Sequence, residues 1–463
     1  MSGLKASVQA LEVIVLAAGA GTRMRSNKAK VMLPLAGKPM LEHVLSMATA
    51  LGPKRIHIIY GHRGEQLRAA FTNPNLNWIA QTEQLGTGHA VRCVIPHLES
   101  GSKVLVLYGD VPALRIEDVA PLVTQCGQQD VLGVLLTNLD VPKGYGRAIV
   151  ADGRVVKIVE EKTASDSELA ITLVNTGVIC VQMVHLARWV NQLDRNNVQN
   201  EYLLTDIFGM ASAERLSAYV QVCAQAWRAF GANDAAQLVD LERRMQLESA
   251  KSLLANGVRL ADPNRIDIRG TLTTGMDVEI DVSVVFEGNV SLANDVKIGA
   301  FNRIKNCSLA EGTIVHSHCD LEGVVTEGAC EIGPFARLRP GTTLQRASKI
   351  GNFVECKNAQ IGVASKISHL SYIGDSVLGA GVNIGAGTIT CNYDGVNKHR
   401  THIGDDVFVG SNTSLVAPLE IGSGATIGAG TVLTSNAAAN QLTLSRAQQK
   451  TITGWTRPNK KAD

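Results

Sequence analysis

The chain has 463 residues, 45% of them hydrophobic and 19% charged, with a formal net charge of +2. That length allows two or three domains with cores of their own, and the composition is globular rather than disordered. So small a net charge argues against a protein built to coat nucleic acid, and no apolar run reaches the length of a membrane span.

In chain order, "VIVLAAG" reads as a buried strand and not as the core of a signal peptide, so a cytoplasmic protein is expected. "KPMLEHVLSMATALGP" reads as a helix with Pro39 in its first turn and Gly52-Pro53 at its end. "RIHIIYG" is a second strand, "GEQLRAAF" a second helix, and "KVLVLYGD" a strand apolar on both faces. This alternation predicts a mostly parallel sheet covered by helices, with ligands at the carboxyl ends of its strands.

Residues 236–256 change register to a long helix with Leu238, Leu241 and Met245 on one stripe, closed by Gly257. Domain boundaries are therefore expected at 1–235, 236–256 and 257–463. Beyond Gly257, Ile-Gly pairs and a six-residue aliphatic step take over: Ile332, Leu338, Leu344, Ile350, and later Ile403, Val409, Leu415, Ile421, Ile427, Leu433. Inward aliphatics at that period mark a hexapeptide solenoid, a parallel β-helix with three short strands per coil. The nine cysteines are scattered without a CxxC pair, which reads as reduced, buried thiols.

Three segments of the first half carry chemistry. "LAAGAGTRMRSNKAK" follows the first strand; its small residues let backbone approach phosphates, and Arg23 and Lys30 add cations. It is neither a dinucleotide fingerprint, since Met24 stands where a third glycine is needed, nor a Walker A loop. "YGDVP" puts Asp110 after a buried strand, where a carboxylate can hold a hard cation or simply cap a turn. "QLGTGHA" offers a second small-residue turn, and Gly146, Glu160 and Asn175 fall in polar interruptions.

In the second half, "CNYDGVNKHRTHIG" interrupts the solenoid and reads as an exposed loop on its outside. Arg339 and Lys357 stand 18 apart, about one coil, which places two cations on one face. His369 falls on a different face and would meet them only across a subunit interface or a bend.

"LAAGAGTRM…K", "QTEQLGTGHA", "YGDVP", "GYGR" and "VNTG" resemble the sugar-1-phosphate nucleotidyltransferases. Joined to the hexapeptide half, nearly the whole chain resembles the bacterial bifunctional N-acetylglucosamine-1-phosphate uridyltransferase/glucosamine-1-phosphate acetyltransferases. The resemblance implies a doubly wound, Rossmann-like N-terminal sheet and a left-handed parallel β-helix assembled as a homotrimer. It implies UTP and acetyl-CoA as co-substrates, magnesium as cofactor, and no nucleic-acid or membrane partner. The product would feed peptidoglycan and lipopolysaccharide synthesis.

Residue by residue, the resemblance gives Leu16, Ala17, Ala18, Gly19 and Gln81 to the uracil and ribose, with Gly86 and Thr87 continuing that pocket. Arg23, taken as catalytic, and Lys30 would face the triphosphate. Tyr108 and Gly109 would border the site, and Asp110 and Asn233 would bind magnesium. Gly146, Glu160 and Asn175 would contact the acetylated sugar. In the second half His369 matches a general base, oriented by Glu355. Arg339, Lys357, Tyr372, Asn383 and Lys398 would bind glucosamine-1-phosphate. Ala386, Asn392, Tyr393, Ser411, Ala429 and Arg446 would line the acetyl-CoA groove.

Two departures stand out. Ala20 replaces the lysine usual in the first loop, and "GANDAAQL" replaces "GVNxRxQL" around Asn233. Three alternatives remain at this level: a monofunctional nucleotidyltransferase with an oligomerising β-helix, a β-helical carbonic anhydrase using His316, His318 and His369, and a non-catalytic sugar-nucleotide sensor.

Overall fold

A computed structural model describes residues 10–458 apart from Ala20, His62, Gln129, Asp130 and Ser217, so the departure at Ala20 lies outside the described residues. The chain divides into two compact units, Met1–Met245 and Gln246–Asp463. The boundary falls inside the long helix Ala235–Ala255, whose Leu241 is buried in the first unit and whose Ala250 and Leu253 belong to the core of the second.

The first unit is built on a nine-stranded sheet. Its strands are β1 (Leu11–Ala17), β2 (Arg55–Tyr60), β3 (Leu76–Ala80), β4 (Lys103–Tyr108), β5 (Leu132–Asn138), β6 (Arg147–Ala151), β7 (Arg154–Val159), β8 (Leu173–Gln182) and β9 (Ala218–Val222). The order is β9-β5-β8-β4-β1-β2-β3, with the β6–β7 hairpin joined to β8. β1 pairs in parallel with both β2 and β4, while β8 runs antiparallel between β4 and β5. Val13, Ile14 and Val15 and the run Val104–Leu107 are fully buried, as strands covered on both faces require. The chain moves from β1 to β2 and β3 on one side, then returns to β4 on the other. That switch opens a crevice above the carboxyl ends of β1 and β4.

The second unit is a three-sided prism of parallel strands. An eleven-stranded sheet forms its first face; a seventeen-stranded sheet bends round a corner and supplies the second and third. The coil-to-coil step through most of the prism is 17 or 18 residues, as in Lys349↔Lys366 and Phe408↔Thr426. Every aliphatic of the six-residue series is buried in one continuous core. Each such side chain stabilises the prism by about 1.5–3 kcal/mol. Cys307, Cys319, Cys330 and Cys356 lie in the same core as free thiols.

One corner carries a ladder of rings. Phe301, His318, Phe335 and Phe353 stack with centroids 5.0, 4.8 and 5.3 Å apart, all in left-handed backbone conformation. Such a conformation costs about 1–3 kcal/mol per residue, and the ladder of interstrand N–H···O bonds at this corner offsets it. The ridge faces outward: Phe335 is 47% and Phe353 56% exposed, and Leu370 extends it one coil further. Among the described residues, no helix is long and apolar enough to cross a membrane.

Candidate functional sites

The crevice of the first unit holds a cavity of about 410 Å³. Leu16, Ala17, Ala18, Gly19, Arg23, Lys30, Gln81, Gly86, Thr87, Tyr108, Asp110 and Asn233 all line it, so segments far apart in sequence meet here. Gly109 does not line the cavity itself; it sits between the lining residues Tyr108 and Asp110 and donates its N–H to the Leu16 carbonyl at 2.9 Å. Gln81 is nearly buried and donates to the Gly86 carbonyl at 3.2 Å. Gly86 has φ +107 and any Cβ there would lie 2.6 Å from the Tyr202 carbonyl oxygen, so only glycine fits. The helix Thr87–Val94 begins at this point and turns the positive end of its dipole toward the cavity, although its Gly88 N–H is taken by the Tyr202 carbonyl at 2.8 Å.

At the cavity's charged end the Lys30 ammonium donates to Asp110 Oδ2 at 2.5 Å and to Asn233 Oδ1 at 2.9 Å. One cation thus draws together a carboxylate oxygen and an amide oxygen. Those hard donors fit magnesium, which keeps several waters and shares its shell with phosphate oxygens rather than demanding an all-protein cage. Gln84 and Glu201 also line the cavity. Gln84, whose amide donates to the Ala18 carbonyl at 2.9 Å, stands inside the small-residue turn and was within reach of sequence reasoning. Glu201 comes from an aperiodic stretch and carried no such signal.

Gly146, Glu160 and Asn175 form a neighbouring cluster. The Asn175 N–H donates to the Gly146 carbonyl at 2.9 Å. A Cβ on Gly146 would come within 3.6 Å of Glu160 Oε1. The expectation of polar interruptions needs correction for Asn175, which sits within β8 at a bulge that breaks the register with β5. A bulge re-aims a side chain without ending the strand. Burial holds the Glu160 carboxyl above its usual range; the Thr205 hydroxyl bond at 3.1 Å opposes this, and Asp206 and Glu201 reinforce it. The Tyr108 hydroxyl is likewise pushed up, first by burial and then by Asp110 and Glu160.

In the prism, the register places Arg337 and Leu338 beside Glu355 and Cys356, so Arg339 follows beside Lys357 on the second face. The interruption inserts between Ile389–Cys391 on that face and Thr401–Ile403 on the third, lengthening the coil step to 25 residues at Asn383↔Phe408. It is a small hairpin with a Tyr393↔Lys398 bridge. Asp394 accepts from the N–H groups of Val396 and Asn397 and from His399, bonds that hold its carboxyl well below the usual range. Asn392 at its base is buried and donates to Asp375, which also takes Asn358 at 2.6 Å. The hairpin brings Lys398 to Lys357. Contact with the Lys398 amine and its charge, with burial and Arg339 adding, holds the Lys357 ammonium below its ordinary value. Three cations therefore converge on one patch, an anion site in the making.

His369 stands on the first face, at the end of Lys366–His369, one corner away from these cations. The expected pairing of Glu355 with His369 is not found: Glu355 accepts from Arg339 at 2.9 Å, while a His369 ring nitrogen meets Asn352 Oδ1 at 2.6 Å in the coil before. The corner between the two faces is the reason. Lys366↔Asn383 and Ile367↔Ile384 carry the register on, so His369 heads a column continued by Ala386, Ser411 and Ala429. Arg446 lies across its far end, near Gly428 and Gly430. Tyr372 covers Gly374 on the second face, and Asn383 shares the first face with His369. Asn392 and Tyr393 stand at the opposite corner of the second face, so one chain does not bring them to the column. His316 and His318 do not join His369: His316 lies 3.0 Å from Glu331 Oε1, and His318 is stacked between Phe301 and Phe335.

Residues 13–168 match the MobA-like NTP transferase domain, and residues 400–435 match the bacterial transferase hexapeptide (six repeats). The Bifunctional protein GlmU of Stenotrophomonas maltophilia (strain K279a) is 53% identical over 456 residues, covering 98% of this chain and 100% of that protein. That of Xylella fastidiosa (strain M23) is 51% identical over 453 residues, covering 97% of this chain and 98% of that protein. That of Xanthomonas euvesicatoria pv. vesicatoria (strain 85-10) is 52% identical over 453 residues, covering 97% and 99%. With relatives about half identical over both halves of the chain, the chain belongs to the bifunctional GlmU family, enzymes that carry a nucleotidyltransferase domain and a hexapeptide acetyltransferase domain on one polypeptide.

Proposed function

We propose that the chain performs two consecutive steps toward UDP-N-acetylglucosamine in the cytoplasm. The second unit acetylates glucosamine-1-phosphate from acetyl-CoA, and the first transfers uridylyl from UTP to the product with release of pyrophosphate. The observation that carries this reading is the cavity in which the small-residue loop, the Gly86–Thr87 turn, Arg23, Lys30, Asp110 and Asn233 converge.

In the uridylyl step a phosphate oxygen of the acetylated sugar attacks the α-phosphorus of UTP, and the bond to the β-phosphate oxygen breaks. The nucleophile is already anionic at neutral pH, so no general base is required. What the chain supplies is in-line placement and positive charge. Gln81 and the Leu16–Gly19 turn hold the nucleoside, Arg23 and Lys30 face the phosphates, and Gly146, Glu160 and Asn175 hold the sugar. Magnesium held by Asp110 and Asn233 would neutralise the charge that builds on the leaving pyrophosphate.

In the acetyl step His369 removes the proton that keeps the amine from attacking the thioester carbon, and CoA leaves as the thiol. Asn352 positions the imidazole. Arg339, Lys357 and Lys398 take the sugar phosphate, with Tyr372 and Asn383 beside it. The Ala386–Ser411–Ala429 column and Arg446 form one wall for acetyl-CoA. His369 and the cations face apart within one prism, so the site is completed by a second copy, whose hairpin brings Asn392 and Tyr393. A homotrimer with the aromatic ridge covered between copies is the proposed assembly.

The test supplies glucosamine-1-phosphate, acetyl-CoA, UTP and magnesium, and reads free thiol and pyrophosphate. The wild type releases both. His369→Ala loses thiol release alone when N-acetylglucosamine-1-phosphate is also present, and Asp110→Ala loses pyrophosphate alone. A wild type that makes pyrophosphate from the acetylated sugar but never thiol would reduce the prism to a scaffold.

A further inference from the structure

The two oxygens best placed for a divalent metal are already taken. Lys30 Nζ sits within hydrogen-bond distance of both Asp110 Oδ2 and Asn233 Oδ1, and its side chain is only 11% exposed. An ammonium and a divalent ion cannot share these two oxygens at contact distance, since their repulsion in a partly enclosed site is severe.

The surroundings decide which partner can move. Asp110 is held from behind by Gly231, where any Cβ would lie 2.1 Å from the Asp110 carbonyl oxygen. The root of the lysine is held too: a Cβ on Gly21, itself at φ +61, would lie 2.7 Å from Lys30 Cβ. Only the far end of the lysine, on its flexible stem, is free to swing. The same cavity is lined by Arg23 and by the turn ahead of the Thr87–Val94 helix, a setting that draws phosphates in.

We propose that Lys30 is a place-holding cation. In the nucleotide-free enzyme it keeps Asp110 and Asn233 converged and denies that locus to divalent metal. The phosphates of an arriving nucleotide draw the ammonium aside, so metal loads with nucleotide and poorly without it. Lys30 thereby serves as counter-ion to the metal ligands first and to the substrate afterwards. This inference rests on the assignment of Asp110 and Asn233 to the metal under the proposed function.

The test is a titration of the full-length protein with Mn²⁺ in the absence of nucleotide, following the electron paramagnetic resonance signal of the free ion. Lys30→Gln should bind Mn²⁺ at least about tenfold more tightly than the wild type, the scale of a lost charged hydrogen-bond competitor. Lys30→Arg, which restores a cation, should return binding to wild-type weakness. Adding Asp110→Asn to Lys30→Gln should abolish the gain. Equal binding by the wild type and Lys30→Gln overturns the proposal, as does a gain that survives Asp110→Asn. Because the titration involves no turnover, its outcome is separate from pyrophosphate release by the wild type, which tests the functional reading.

Discussion

His57 shows what a single buried side chain can impose on this enzyme. It and Glu12 have no exposed surface, and His57 Nε2 lies 3.7 Å from Glu12 Oε1. The other Glu12 oxygen accepts from the Glu99 N–H at 3.0 Å and the Ser102 hydroxyl at 3.1 Å, while Asn77 meets His57 Nδ1 at 3.0 Å. Burial lowers the imidazole below its ordinary value, Arg55 and His97 add to this, and Glu12 opposes it. The unfolded chain therefore takes up this proton first. Stability is intact above about 6.5, the unfolded value, and declines as pH falls toward the folded one. Urea midpoints for the first unit should drop between about pH 7 and pH 5, and His57→Gln should flatten that slope; an unchanged slope removes His57 as the cause. The lysine patch gives a second residue-scale prediction. Lys357 sits below its ordinary range because of Lys398, so the KM for glucosamine-1-phosphate should rise at alkaline pH sooner than an isolated lysine would dictate. Lys398→Met should raise that KM about tenfold at neutral pH and move the alkaline rise upward. The Arg339–Lys357 pair was legible from its spacing, because both lie on one regular ladder. Lys398 joining them was not, since it arrives on a hairpin outside the repeat, and the partners of Glu355 and His369 depend on a corner that spacing does not encode.

Among the elements, the strands and helices of the first half follow their apolar patterns closely: the helix expected from "KPMLEHVLSMATALGP" spans Met40–Ala50. The solenoid was equally plain, because a six-residue step leaves no other way to bury its aliphatics. What the sequence hid is local irregularity, such as the bulge that aims Asn175, which depends on pairing with β5 rather than on the segment itself. Two predictions belong here. Gly86→Ala must move the Tyr202 carbonyl, and should cut pyrophosphate release about 100-fold, the scale of misplaced substrate, while thiol release is kept. Leu338→Ala opens a cavity in the middle of the prism core, and should cost about 2–5 kcal/mol in calorimetry, destabilising the second unit alone. A loss of both activities together from Gly86→Ala would mean that the turn supports folding rather than the nucleotide.

For the whole molecule, the exposed ridge of Phe301, His318, Phe335 and Phe353 is the surface that an isolated prism leaves unexplained. On the proposed trimeric assembly, Phe335→Ser with Phe353→Ser should shift sedimentation toward monomer and remove thiol release on dilution, with pyrophosphate release unaffected; an assembly that persists unchanged places the contact elsewhere. The cysteines within the prism carry a further consequence. Burial pushes Cys307 and Cys319 up to about 11 and Cys356 up to about 12, and raises Cys330 as well. At neutral pH these sulfurs are almost entirely protonated and shielded, hence inert to alkylating reagents. Each lies in a different stretch of the solenoid, so each is a clock for the opening of its own coils. The order in which they become labelled under mild denaturant would record whether the prism frays from one end or opens all at once.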